Sequence, residues 1–128
     1  MNYNFIGNGI QLLMIKLDLY DTLVHVKVYK DRESLIKAYN KFDKKLNTQD
    51  PATEEFQGCV LSDPLDLTKI YILLNEYDLT ISTITHEVYH ATEAITRANG
   101  IEDEESSAIL NGHLNEKVFK FLRKKWPI

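Results

Sequence analysis

Two histidines four residues apart, His86 and His90, enclose Glu87 in the stretch HEVYH. At about 100° per residue their side chains lie only about 40° apart around a helix and one turn apart along it. Both imidazoles can therefore converge on one ion at the ~2.0 to 2.1 Å that zinc requires. Glu87 is offset from both, too far round to be a natural third ligand, and flanks the place where an activated water would sit. Its expected role is general base: it would take a proton as hydroxide attacks a carbonyl and then return it to the leaving amine. Of the four histidines in the chain, two fall in this pentapeptide, which favours a metal over chance placement.

Zinc with two histidines is held poorly, and a catalytic site usually has three protein ligands. The segment IEDEESSAILNG offers Glu102, Asp103, Glu104 and Glu105. Acidic residues in a first helical turn also satisfy the helix dipole, so most of these need no metal to explain them. Glu105 is preferred, because it shares a face with Ala108 and Gly112, and two small residues would let this helix come close to the one carrying HEVYH. Glu104, which flanks the same stripe, is the rival.

The elements that must position these groups follow from periodicity. Ile15, Leu17 and Leu19 alternate, Tyr20-Asp21 interrupts, and Val24, Val26 and Val28 alternate again, which predicts a hairpin. Asp31 suits an N-cap, and Leu35, Ile36, Tyr39, Phe42 and Leu46 recur at helical spacing, predicting a helix from about Arg32 to Leu46. Asn47 to Glu55 reads as a polar loop around Pro51. Phe56 to Leu61 and Lys69 to Asn75 have strand composition, with SDPLD turning between them. From Leu79 the period becomes 3.6: Ile84, Val88, Ala91 and Ile95 form an apolar stripe well over a quarter turn from the histidines, and Asn99-Gly100 supplies the stop. A last helix is expected from near Asp103 through Leu110, Leu114, Val118 and Phe121, with the cations of RKKWPI at its negative end.

The whole chain sets limits on these readings. Its 128 residues, 44% hydrophobic and 27% charged, suit one globular domain over 1–128. A net charge of −4 without a lysine and arginine run in the body of the chain argues against nucleic acid as a partner. No apolar run is long enough for a bilayer and no secretory leader stands at the N-terminus, so a cytoplasmic protein with no membrane partner is expected. Cys59 is the only cysteine, expected buried and inert, so a metal must use histidine and carboxylate.

HEVYH followed by an acidic helix resembles the gluzincin branch of the HExxH metallopeptidases. More closely, THEVYHATEAI and GIEDEESSAILNGHLNEKV resemble small HExxH proteins of phages and prophages, and Glu105-x-x-Ala108 is similar to the ExxA of ImmA/IrrE-type peptidases. The resemblance is specific over Thr85 to Val118. It implies a minimal zincin-like α+β domain, with a small twisted sheet, the HExxH helix and a C-terminal helix. It implies Zn2+ as cofactor, His86, His90 and Glu105 as its ligands, Glu87 as catalytic base, and a protein or peptide substrate. Two departures stand out. Where larger gluzincins place an aspartate four residues after the ligand glutamate, this chain has Ile109. The residue that stabilises an oxyanion is unassigned among Tyr89, His113, His25 and Tyr71. The resemblance also implies an edge strand that holds substrate by main-chain pairing. KIYILLN could serve, although its continuous apolar run reads better as a buried core strand.

The expected function is therefore a zinc metallopeptidase hydrolysing peptide bonds. Its rivals are a catalytically silent metal-binding regulatory or assembly protein of the same fold, and an interaction domain without metal. Manganese, nickel and cobalt also suit histidine and carboxylate donors.

Overall fold

Alternating apolar residues form strands β1 (Leu12–Leu17) and β2 (Thr22–Tyr29), paired antiparallel. A single 3-10 turn at Asp18–Tyr20 joins them, and Asp21 takes the left-handed position (φ 47°) that reverses the chain. Aspartate tolerates that conformation better than most residues because its short side chain bonds locally. The computed structural model describes residues 12–46, 57–63 and 66–128. The polar loop expected at Asn47 to Glu55, Phe56, and the Pro64-Leu65 centre of the SDPLD turn lie outside the described residues.

Helix α1 (Arg32–Leu46) begins where Asp31 accepts a hydrogen bond from the Ser34 amide at 2.8 Å, a contact that holds the Asp31 carboxyl below its usual range. Strands β3 (Gly58–Asp63) and β4 (Asp66–Asn75) follow, and β4 starts three residues earlier than its apolar run. Helix α2 (Ile81–Ala98) is capped by Thr80, whose hydroxyl accepts from the Thr83 amide at 3.1 Å. It ends at Asn99, with Gly100 at φ 66° allowing the Ile101 amide to reach back to the Thr96 carbonyl. Helix α3 (Glu104–Leu122) is capped by Asp103 through the Ser106 amide at 2.8 Å.

The sheet order is β1-β2-β4-β3, with β2 and β4 parallel and the two outer pairs antiparallel. Together with three helices this is the expected small α+β fold. Helices α2 and α3 cover one face, packing Ile84, Val88, Leu114 and Val118 on Val24, Val26 and Ile72. Helix α1 covers the other through Leu35 and Ala38 against Tyr29, Tyr71 and Leu73. Burial on both faces explains the continuous apolar run of KIYILLN. That strand is internal, so it offers no free edge; the edge beside α2 belongs to β3. Cys59 is buried on β3, and desolvation pushes its thiol well above the ordinary value. Among the described residues no helix is long and apolar enough to cross a membrane.

On the α1 face His25 is 1% exposed and stacks on Tyr71, ring centroids 4.9 Å apart. Burial, helped by the Lys69 charge, lowers its pKa to about 4. The unfolded chain binds that proton near ~6.5, so it takes up more protons than the folded state between the two values, and stability falls as pH drops through that window. The expected loss from this one group is about 2 kcal/mol between pH 7 and pH 5. Urea unfolding at both pH values checks it: His25→Phe should lose less stability than wild type over that interval, and equal losses would refute the assignment.

Candidate metal centre

The phase of α2 is set by Ile84, Val88, Ala91 and Ile95, all 0–1% exposed in the core. With those residues inward, His86 and His90 are turned outward and exposed. Their Nε2 atoms stand 3.1 Å apart with the rings edge to face at 78°. Two nitrogens bound to one tetrahedral zinc at ~2.0 to 2.1 Å are separated by about 3.3 Å. The pair is therefore set within a few tenths of an ångström of the spacing a shared ion needs. Without an ion, one ring protonated on Nε2 can donate to the other at the same separation. His86 and His90 fit two positions of a zinc ion.

Glu87 points to the side of α2 that meets the sheet edge, and is 7% exposed. Its Cγ lies 3.1 Å from where a Cβ on Gly58 would stand, and the Leu73 carbonyl oxygen is equally close to that point. A side chain at residue 58 would displace one or the other, so the glycine lets the edge strand approach the glutamate. Burial raises the Glu87 carboxyl above its ordinary pKa, partly offset by His86. A carboxylate that holds its proton more firmly is better matched to base work near neutral pH.

A part-buried polar chain fixes this edge. Arg32 Nε and Nη2 donate to the Asp78 oxygens at 2.6 and 2.7 Å, and Asn75 Nδ2 donates to Asp78 at 3.0 Å and to the Gln57 carbonyl at 2.9 Å. The Thr83 hydroxyl donates to Gln57 Oε1 at 3.2 Å. The start of α1, the end of β4, the start of β3 and the first turn of α2 are thereby tied together around Glu87. None of these residues was singled out by sequence. The only local signal was an asparagine three before an aspartate, the spacing by which the Asn75 side chain accepts from the Asp78 amide.

A cleft of about 350 Å³ separates α2 from the start of α3, with Tyr89, Thr92 and Glu93 on one wall and Glu104, Ala108 and Asn111 on the other. Glu104 lines it; Glu105 stands about 100° further round α3, exposed and outside the lining. The small-residue stripe does not act as expected, because a Cβ on Gly112 would meet nothing within 4 Å. The rotation of α3 is set instead by Leu110, Leu114, Val118 and Leu122 in the core, which turns Ala108 and Asn111 to α2, where the Thr92 hydroxyl donates to Asn111 Oδ1 at 3.1 Å. Among the described residues no three histidine, cysteine, aspartate or glutamate side chains are grouped to hold a metal.

Of the four oxyanion candidates, only Tyr89 is beside the histidines, its ring 6.3 Å from that of His90. His25 and Tyr71 are on the α1 face of the sheet, and His113 lines a separate hollow with Lys16, Tyr20 and Ile109. The Tyr89 hydroxyl donates to Glu93 at 2.5 Å, and Arg97 pairs with the same carboxylate at 3.2 Å. No motif marks Glu93 in the sequence; only its i+7 spacing from His86 places it on the same stripe.

Compared with protein-family models, with curated proteins and with solved structures, the chain matches none.

Proposed function

We propose that the protein is a zinc-dependent metallopeptidase in which His86 and His90 hold the ion and Glu87 acts as general base. The observation that carries this reading is the 3.1 Å separation of the two Nε2 atoms, next to a glutamate buried beside β3, the outer strand among the described residues. Zinc, when bound, supplies a Lewis acid and acidifies water. Glu87 accepts a proton on its carboxylate, which burial has made more basic, and passes it to the leaving amine. β3 is the outer strand of the sheet among the described residues, and an outer strand beside Glu87 suits main-chain pairing with an extended protein or peptide substrate. A third ligand would have to come from the start of α3, whose carboxylates are not, among the described residues, grouped with the two histidines: the family resemblance favours Glu105, and the position of Glu104 in the cleft wall favours Glu104.

A second reading, a metal-binding regulatory or assembly protein without turnover, draws support from the exposure of both histidines and from the two-donor set among the described residues. Zinc titration followed by casein and peptide-library assays at low protein concentration separates the two. The expected result is zinc binding that His90→Ala abolishes, and zinc-dependent cleavage. Zinc-loaded protein inert on every substrate would leave the second reading standing; no zinc binding would remove both.

A further inference from the structure

We infer that α2 presents half of a zinc site to a second copy of this chain, and that two copies close one ion between their His86–His90 pairs as a resting, inactive form. This rests on the reading of the two histidines as zinc ligands, but not on Glu87 having a substrate. Zinc in a closed site takes four ligands in a tetrahedron. One α2 presents two nitrogens 3.1 Å apart on its outward face, both on exposed side chains. A second copy related by a twofold axis presents the same two at the same spacing, so the four nitrogens can surround one ion.

Charge and apolar surface around the pair agree with this occupant. Glu93, Glu102 and Glu104 line the cleft next to the histidines, and each chain carries a net −4. Two such faces repel until a dication stands between them, so pairing should need the metal. Beside the histidines, Tyr89 is 53% exposed, its ring 6.3 Å from that of His90. This ring would meet its mate near the axis and help shield the ion from water. An ion held by four histidines has no open position, so hydrolysis requires the copies to separate.

Native mass spectrometry and sedimentation equilibrium of the full chain test this, with metal-free protein titrated with zinc alone. The expected result is about half a zinc per chain with doubling of the mass, reversed by EDTA, while His90→Ala stays monomeric with unchanged circular dichroism. One zinc per monomer would overturn the pairing and leave the ligand assignment intact. No zinc binding would overturn both. A dimer that forms without zinc, or that persists in His90→Ala, would show that something other than this ion joins the copies.

Discussion

Glu87→Gln is expected to bind zinc as the wild type does and to lose peptide hydrolysis by about 10²- to 10⁴-fold, the usual contribution of a positioned general base. The substitution keeps the side-chain shape, including the Cγ packed 3.1 Å from the missing Cβ of Gly58, so the strand and helix have no reason to move. It removes only the ability to take a proton. It should also stabilise the fold at neutral pH. Burial raises the Glu87 pKa above that of the unfolded chain, so the folded state binds the extra proton and wild-type stability declines as pH rises through this range. The amide carries no such penalty. Thermal melts should therefore show the variant ahead of the wild type at pH 7, with the gap narrowing toward pH 4. Retained activity, or a variant less stable at every pH, would show that Glu87 is a packing residue.

The second large effect belongs to Arg32. Asp78 is 7% exposed, and its carboxyl is held below the usual range chiefly by the hydrogen bonds from Arg32, against the opposing effect of burial. Arg32→Ala leaves that carboxylate buried with the Asn75 amide as its remaining side-chain donor shown at the site. The pair is part-buried, with 35% of the Arg32 side chain exposed, so solvent screening keeps the loss of stability below that of a fully buried pair. The sign with pH is the reverse of that for Glu87. A depressed carboxylate stabilises above its unfolded value and loses that contribution as pH falls through its folded pKa, so wild type and variant should converge in acid. Chemical denaturation across pH measures this, and a cost under about 0.5 kcal/mol, the range of ordinary surface changes, would contradict it. The same change should lower activity more than zinc affinity, because Asp78 holds Asn75, Asn75 holds Gln57, and Gln57 carries the strand that faces Glu87.

What could be read in advance was local. The bounds of α1, the phase of α2, the cap at Asp31, the start of α3 near Asp103 and the stop at Asn99-Gly100 each depend on contacts within a few residues. The choice between Glu104 and Glu105 was not local, because it turns on the rotation that Leu110 and Leu114 impose on α3 against the core. The burial of β4 was legible in its continuous apolar run, but not that β3 adds to the sheet outside it. The Arg32–Asp78 pair spans 46 residues, and composition gives no sign of it. Gly58 reads as an ordinary strand glycine until Glu87 is placed against it.

The parallel pairing of β2 with β4 sets an order of events in folding. These strands join only after α1 and β3 have been accommodated between them in sequence, a long loop whose closure must come before the contacts that reward it. The histidine pair needs none of this, since it closes within one turn of a helix, and a cross-link four residues apart stabilises a helix that is marginal alone. An ion could thus be captured by a chain whose sheet is still incomplete. The contact between Glu87 and Gly58 exists only once β3 lies beside β4, so under the proposed reading the metal grip would be an early, local event and the setting of the base a late, global one.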